Sequence, residues 1–133
     1  MAAPTPYLLL PGSARSTLEF YRGVFGGDLD IHSFAEFGRS DGPPEAVAHG
    51  ILKGPVTLYA ADAAEWEQPF SAGGLFFALL GVASSEILRQ WFDALADGGT
   101  VVDPLTTRPW NAVDGQVRDR AGLTWLIGWE NSA

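Results

Sequence analysis

Two stretches of this 133-residue chain repeat one another, and that repeat limits the fold more than any other feature. Phe20-Tyr21-Arg22-Gly23-Val24-Phe25-Gly26-Gly27 resembles Trp91-Phe92-Asp93-Ala94-Leu95-Ala96-Asp97-Gly98-Gly99, with one residue inserted. Each stretch carries apolar side chains at helical spacing: Leu18, Tyr21, Val24 and Phe25 in the first, Leu88, Trp91, Phe92 and Leu95 in the second. A Gly-Gly pair closes each, because glycine tolerates the left-handed backbone that ends a helix. Two copies offset by about 71 residues are too few and too long for a solenoid. A duplicated module accounts for them.

The flanking residues supply strands. Pro6–Leu10 is a short apolar run before Pro11-Gly12, and Ser13 is placed to cap the first helix. Asp28–Phe37, Ala46–Lys53 and Val56–Ala61 follow as strands, and Pro43-Pro44 keeps the intervening loop from being helical. Asp62–Gly74 is polar and holds Gln68-Pro69 and Gly73-Gly74, the composition of a linker. Then the plan recurs. Leu75–Val82 is a strand, and Ser84 or Ser85 caps a helix with Glu86 in its first turn. Thr100–Val102 begins a strand, Asp103–Asn111 is a loop with Pro104 and Pro109, and Gly115–Arg118 with Leu123–Trp129 forms a terminal hairpin. In that last strand Leu123, Trp125 and Ile127 are predicted to pack under the helices, leaving Thr124, Leu126 and Gly128 on the other face. The predicted fold class is therefore α+β: one domain over residues 1–133, made of two βαβββ modules, 1–68 and 69–133. Paired side by side, they form a cup-shaped sheet whose concave face is the default ligand site.

Composition removes several chemistries. With no cysteine there are no disulfides, thiolate metal sites or cysteine nucleophiles. Sixteen acids against eight bases give a net charge of −8, which repels nucleic acid and anionic membranes. The same field favours a cationic ligand, or serves solubility alone. No apolar run approaches the roughly 20 residues of a membrane span. The first residues carry no basic n-region or apolar h-region, so the expected location is cytoplasmic. There is no phosphate-binding glycine loop, no G-x-S-x-G elbow and no H-E-x-x-H helix.

Taken together, several residues resemble the vicinal oxygen chelate superfamily of glyoxalases, bleomycin-resistance proteins and dioxygenases, and within it the PhnB-like branch. They are Pro6-Tyr7, Glu19-Phe20-Tyr21 with Phe25-Gly26-Gly27, His49, Ala61-Asp62-Ala63, Trp91–Ala96, Pro104-Leu105, Trp110, and Gly115-x-Val117-x-Asp119-x-x-Gly122-x-x-Trp125-x-Ile127. The branch is sometimes labelled 3-demethylubiquinone methyltransferase-like, but nothing in this chain resembles a nucleotide-binding sheet. Metal-dependent members hold one divalent ion with His, Gln and Glu from four strands. The resemblance puts those positions near Pro6, near Tyr59, at Phe77 and at Leu126. None of these side chains suits a hard or borderline ion. The resemblance thus implies a protein with no metal and no cofactor, and commonly a homodimer.

The resemblance also proposes what lines the cup. Tyr59, Phe77 and Leu126 take ligand-equivalent positions, where they either meet a ligand or fill a dry core. His49 shares a strand face with Val47 and Ile51 and is either a polar anchor, an acid/base or a hydrogen-bonded core histidine. Trp110, on a proline-flanked loop, is either an aromatic wall for a planar ligand or packing at a seam. Relatives often follow this Trp with histidine, whereas Asn111-Ala112-Val113-Asp114 stands here. The expected function is binding of a small organic ligand, cationic or aromatic, without catalysis, as in bleomycin-binding relatives. The alternative is a glyoxalase- or dioxygenase-like enzyme that uses His49 as acid/base, or a non-standard metal triad of His32, His49 and Glu36.

Overall fold

In the computed structural model, which describes residues 4–131, the chain divides into two compact units, one ending at Phe70 and the other beginning at Ser71. The first contains β1 (Tyr7–Leu10), α1 (Ala14–Phe25), β2 (Asp28–Ser33), β3 (Val47–Lys53) and β4 (Leu58–Asp62). The second contains β5 (Phe76–Leu80), α2 (Ser85–Ala96), β6 (Thr100–Thr107), β7 (Ala112–Arg118) and β8 (Thr124–Glu130). Strand order is β1-β4-β3-β2 in one sheet and β5-β8-β7-β6 in the other. In each, the first strand pairs parallel with the last and the remaining pairs are antiparallel. The fold is α+β, and the βαβββ module occurs twice.

Each helix buries one face of its own sheet. Leu18, Tyr21 and Phe25 of α1 are buried with Leu8, Leu10, Leu52, Leu58 and Ala60. A Cβ at Gly50 would collide with the Leu18 side chain, so the absence of one there lets α1 lie close. In the second unit Leu88, Trp91, Phe92 and Leu95 of α2 are buried with Val117, Trp125 and Ile127. The Gly-Gly pairs have a double use. Gly26 (φ 79°) and Gly98 (φ 75°) turn the chain out of the helix in left-handed conformation. Gly27 and Gly99 then pass too close to the ends of strands to carry a Cβ: Gly27 against Lys53 and Gly54, Gly99 against Arg118 and Asp119.

Four local expectations are corrected. Ser13 makes no side-chain capping bond. The first amide of α1, Ala14 N–H, donates instead to Asp62 Oδ1 at 2.9 Å, while Asp62 Oδ2 accepts from Val47 N–H at 2.9 Å. Asp62 is thus a buried member of β4, not the start of a linker. β2 ends at Ser33, because the register slips between His32 and Ser33 and buried Phe34 turns inward. β6 runs on through Asp103–Thr107, where local composition predicts a loop, and β7 already begins at Ala112. Pro104 is tolerated because β6 is an edge strand with irregular register, and Gly115 has no Cβ to obstruct the backbone of residues 103–105. Ser84 does cap α2, accepting from Ile87 N–H at 3.2 Å.

Two stability measurements follow. Asp62→Ala strands two buried amide donors and is expected to cost about 2–4 kcal/mol in urea unfolding, with Asp62→Asn costing less. Gly23 is exposed in α1, and a Cβ there would meet nothing within 4 Å, so Gly23→Ala should raise stability by about 0.5–1 kcal/mol.

Candidate functional site

Strand alternation gives each sheet one face under its helix and one face away from it. In the first sheet the helix-covered set includes Leu8, Leu10, Gly50, Leu52, Leu58 and Ala60. The opposite set follows from the register: Tyr7 pairs with Tyr59, Tyr59 with Ile51, and His49, two residues from Ile51, pairs with His32. This open face carries a cluster of rings. Tyr7 stacks on His49 with centroids 5.5 Å apart, Tyr59 meets Tyr7 edge-on at 6.0 Å, and Tyr59 lies 5.6 Å from His49. The Tyr7 hydroxyl is 2.8 Å from His49 Nδ1.

The electrostatics define the polarity of that contact. Burial and then the Glu67 carboxylate push the Tyr7 phenol above its usual range, with Arg39 partly offsetting them, so the phenol keeps its proton at neutral pH. With Tyr7 as the donor, His49 accepts at Nδ1 in the tautomer that carries its proton on Nε2, and the ring is flanked by two tyrosines. Arg39 is itself held by Asp41 at 2.9 and 2.7 Å and lies 4.2 Å over the Phe34 ring. The Trp66 indole N–H donates to the same Asp41 carboxylate at 3.0 Å. Together Arg39 and Trp66 hold the Asp41 carboxyl well below the usual carboxylate range.

His32 shares the open face with His49 as its cross-strand partner, yet the two rings have different commitments. His32 Nδ1 lies 2.9 Å from Glu36, Nε2 lies 3.2 Å from Asp30, and Phe37 stacks on the ring at 5.4 Å. No group of three or more His, Asp or Glu side chains that could hold a metal ion occurs among the described residues, so the His32–His49–Glu36 triad does not assemble. The donor positions implied by the resemblance fare no better. Pro6 precedes β1 by one residue and is out of phase with the open face, which Tyr7 occupies instead. Phe77 is likewise out of phase: it pairs with Trp125 and packs edge-on against that ring at 5.4 Å, on the helix-covered side of the second sheet. The inward-pointing role expected for Phe77 is therefore corrected. Its neighbours Phe76 and Ala78 take the open face, and neither offers a metal donor.

Leu126 lies on the open face of the second sheet, half-buried between Ala78 and Gln116, with Trp125 and Ile127 buried behind it. Trp110 stands apart from it. It sits at the tip of the β6–β7 hairpin, 69 % exposed, and lines a pocket at one end of the second sheet to which Leu126 does not contribute. Sequence reasoning misses the roles of Tyr7 and Arg39. The alternation of Leu8 and Leu10 is the available signal for Tyr7, since it sets the phase of β1.

His32 offers a direct measurement. Its hydrogen bond to Glu36, and then Asp30, raise its pKa above the ordinary 6.5. Protonated His32 therefore stabilises the folded chain; the contribution is complete below about pH 6.5 and is lost as pH rises through the higher folded value. An NMR titration of His32 should show a midpoint above 6.5 that falls on Glu36→Gln.

Known proteins share this fold. The family described as Glyoxalase/Bleomycin resistance protein/Dioxygenase superfamily matches residues 5–127. Protein PA1353 from Pseudomonas aeruginosa is similar at 29 % identity, with 99 % of this chain and 100 % of that chain covered and a TM-score of 0.78. The PhnB protein from Bacillus cereus shares the fold at 21 % identity, 96 % and 99 % coverage and a TM-score of 0.71. A glyoxalase/bleomycin resistance protein from Albidiferax ferrireducens shares it at 15 % identity, 98 % and 100 % coverage and a TM-score of 0.61. Among curated proteins none matches. No described helix is long and apolar enough to cross a membrane.

Proposed function

The chain belongs to the Glyoxalase/Bleomycin resistance protein/Dioxygenase superfamily, and within it we propose a small-molecule-binding protein that has lost the inherited metal site. The observation that carries this reading is the Tyr7–His49–Tyr59 cluster. Three rings, with centroids 5.5 to 6.0 Å apart, stand on the sheet face away from α1. Tyr7 is 46 % exposed and the other two are half-buried, so ring surface is available to a ligand. The rings offer a π-face to a planar or cationic group, and His49 Nε2 adds one directional polar contact. Within the second unit, Leu126 offers an apolar contact of its own on the open face of that sheet. The net charge of −8 favours a cation over an anion. The ligand is a small organic molecule, aromatic or cationic, held without a metal or cofactor; the protein acts as a homodimer in the cytoplasm.

One observation favours a second reading. The Tyr7–His49 hydrogen bond orients the imidazole and assigns its tautomer, as an acid/base histidine requires. Binding and catalysis separate experimentally. A thermal-shift screen of cationic, neutral and anionic aromatic compounds should yield cationic hits whose Kd rises about tenfold in Tyr59→Ala and His49→Ala, the size of one lost aromatic contact. Binding unaffected by both substitutions, or no hit of any charge, overturns the proposal. Stoichiometric Zn, Ni, Mn or Fe in the purified protein, lost on His49→Ala, would establish the metal-dependent enzyme instead.

A further inference from the structure

From the second unit alone, we infer a separate binding site for a planar organic cation, in the pocket between Trp110 and Trp129. It does not depend on the role of the Tyr7–His49–Tyr59 face. The pocket has a volume of about 780 Å³ and lies where the end of β5, the start of α2, the start of β7 and the end of β8 converge. Leu80 and Ser85 form part of its wall, Trp110 and Trp129 supply aromatic surface, and Asp114 and Glu130 supply charge.

Trp110 is the feature that needs explaining. A tryptophan 69 % exposed leaves a large apolar ring in water. It is not on a slack loop. Arg108 N–H donates to Ala112 O at 2.7 Å, Asn111 takes a left-handed φ of 62°, and Asn131 N–H donates to Asn111 O at 3.0 Å. The hairpin tip is tied to the end of β8 and holds the ring at the pocket. Trp129, at the other wall, is half-buried and already shows its affinity for cations: the Arg89 guanidinium lies 5.2 Å from its ring centroid.

The charge inventory selects the ligand. No Lys, Arg or His lines the pocket among the described residues. Arg108 is the nearby cation on the hairpin, and it is divided between Asp114 at 2.8 Å and Asp103 at 2.7 Å. One guanidinium against two carboxylates leaves a surplus negative charge, exposed Glu130 adds another, and Arg89 beside Trp129 offsets one of the two, so the balance stays negative. The amide end of α2 opposes this field, but Glu86 in its first turn offsets that contribution. An aromatic surface beside uncompensated carboxylates suits a delocalised cation, which gains from both the ring quadrupole and the charge.

The test uses the full-length protein with 1-methylquinolinium as probe, quinoline as the neutral match at pH 7.5, and 2-naphthoate as the anionic one. Indole N–H signals, assigned with Trp110→Phe and Trp129→Phe, report the site. The expected result is movement of the Trp110 and Trp129 signals by 1-methylquinolinium while Trp66 stays put, with at least about tenfold weaker binding of quinoline and naphthoate. Trp110→Ala should weaken binding about tenfold, Trp110→Phe should restore most of it, Glu130→Gln should weaken it severalfold, and Tyr59→Ala should leave it unchanged. Equal binding of the neutral and anionic compounds overturns the inference. So does unaltered binding by a Trp110→Ala protein with native circular dichroism, absence of shifts at millimolar probe, or loss of these shifts in Tyr59→Ala.

Discussion

The first unit depends on one buried carboxylate. Asp62, at the end of β4, accepts from the first amide of α1 with one oxygen and from the first amide of β3 with the other, each at 2.9 Å. Both amides would otherwise be donors without partners at a buried junction. A carboxylate facing the amide end of a helix also complements its dipole. Because it joins three elements, it sets where α1 lies on the sheet. The helix position then decides which strand faces are covered, and the uncovered face is the one with chemistry on it.

The second unit reaches the same topology with its anchors distributed differently. Ser84 caps α2 from the adjacent residue, and the buried carboxylate moves to the turn before β8. There Asp119 accepts from Ala121 and Leu123 amides at 2.9 and 3.1 Å and from the Trp125 indole at 2.8 Å. That contact fixes the entry of β8 and directs Trp125 under α2, leaving Leu126 on the other side. The duplicated modules thus share a topology and a Gly-Gly helix exit while diverging in the open face: tyrosine and histidine in the first, Leu126, Ala78 and Gln116 in the second.

Much of this is legible as local pattern. The buried faces of both helices, the Gly-Gly exits and the phase of Leu123–Trp129 follow from periodicity over a few residues, and the structure places Trp125 and Ile127 in the core as that periodicity requires. Expectation and structure part where a long-range contact overrides a local signal. Ser13 has the chemistry of a cap, but Asp62, 48 residues from Ala14, occupies that position. Pro104 has the look of a loop, but it sits on an edge strand opposite a glycine that yields space. The site positions suffer most. The resemblance puts donor positions near Pro6 and at Phe77, and each is one residue out of phase, which in a strand exchanges one face of the sheet for the other.

By itself the sequence determined the α+β class and the duplication of βαβββ, because these depend on residue type and short-range spacing. Only the tertiary structure decided that Tyr7 and His49, 42 residues apart, share a hydrogen bond beside Tyr59, and that Trp110 and Trp129 line one pocket. The physical reason is strand pairing. Register between strands distant in sequence is set by the packing of each helix on its sheet and by carboxylates such as Asp62 and Asp119, and no local periodicity encodes which residue of one strand will stand beside which residue of another.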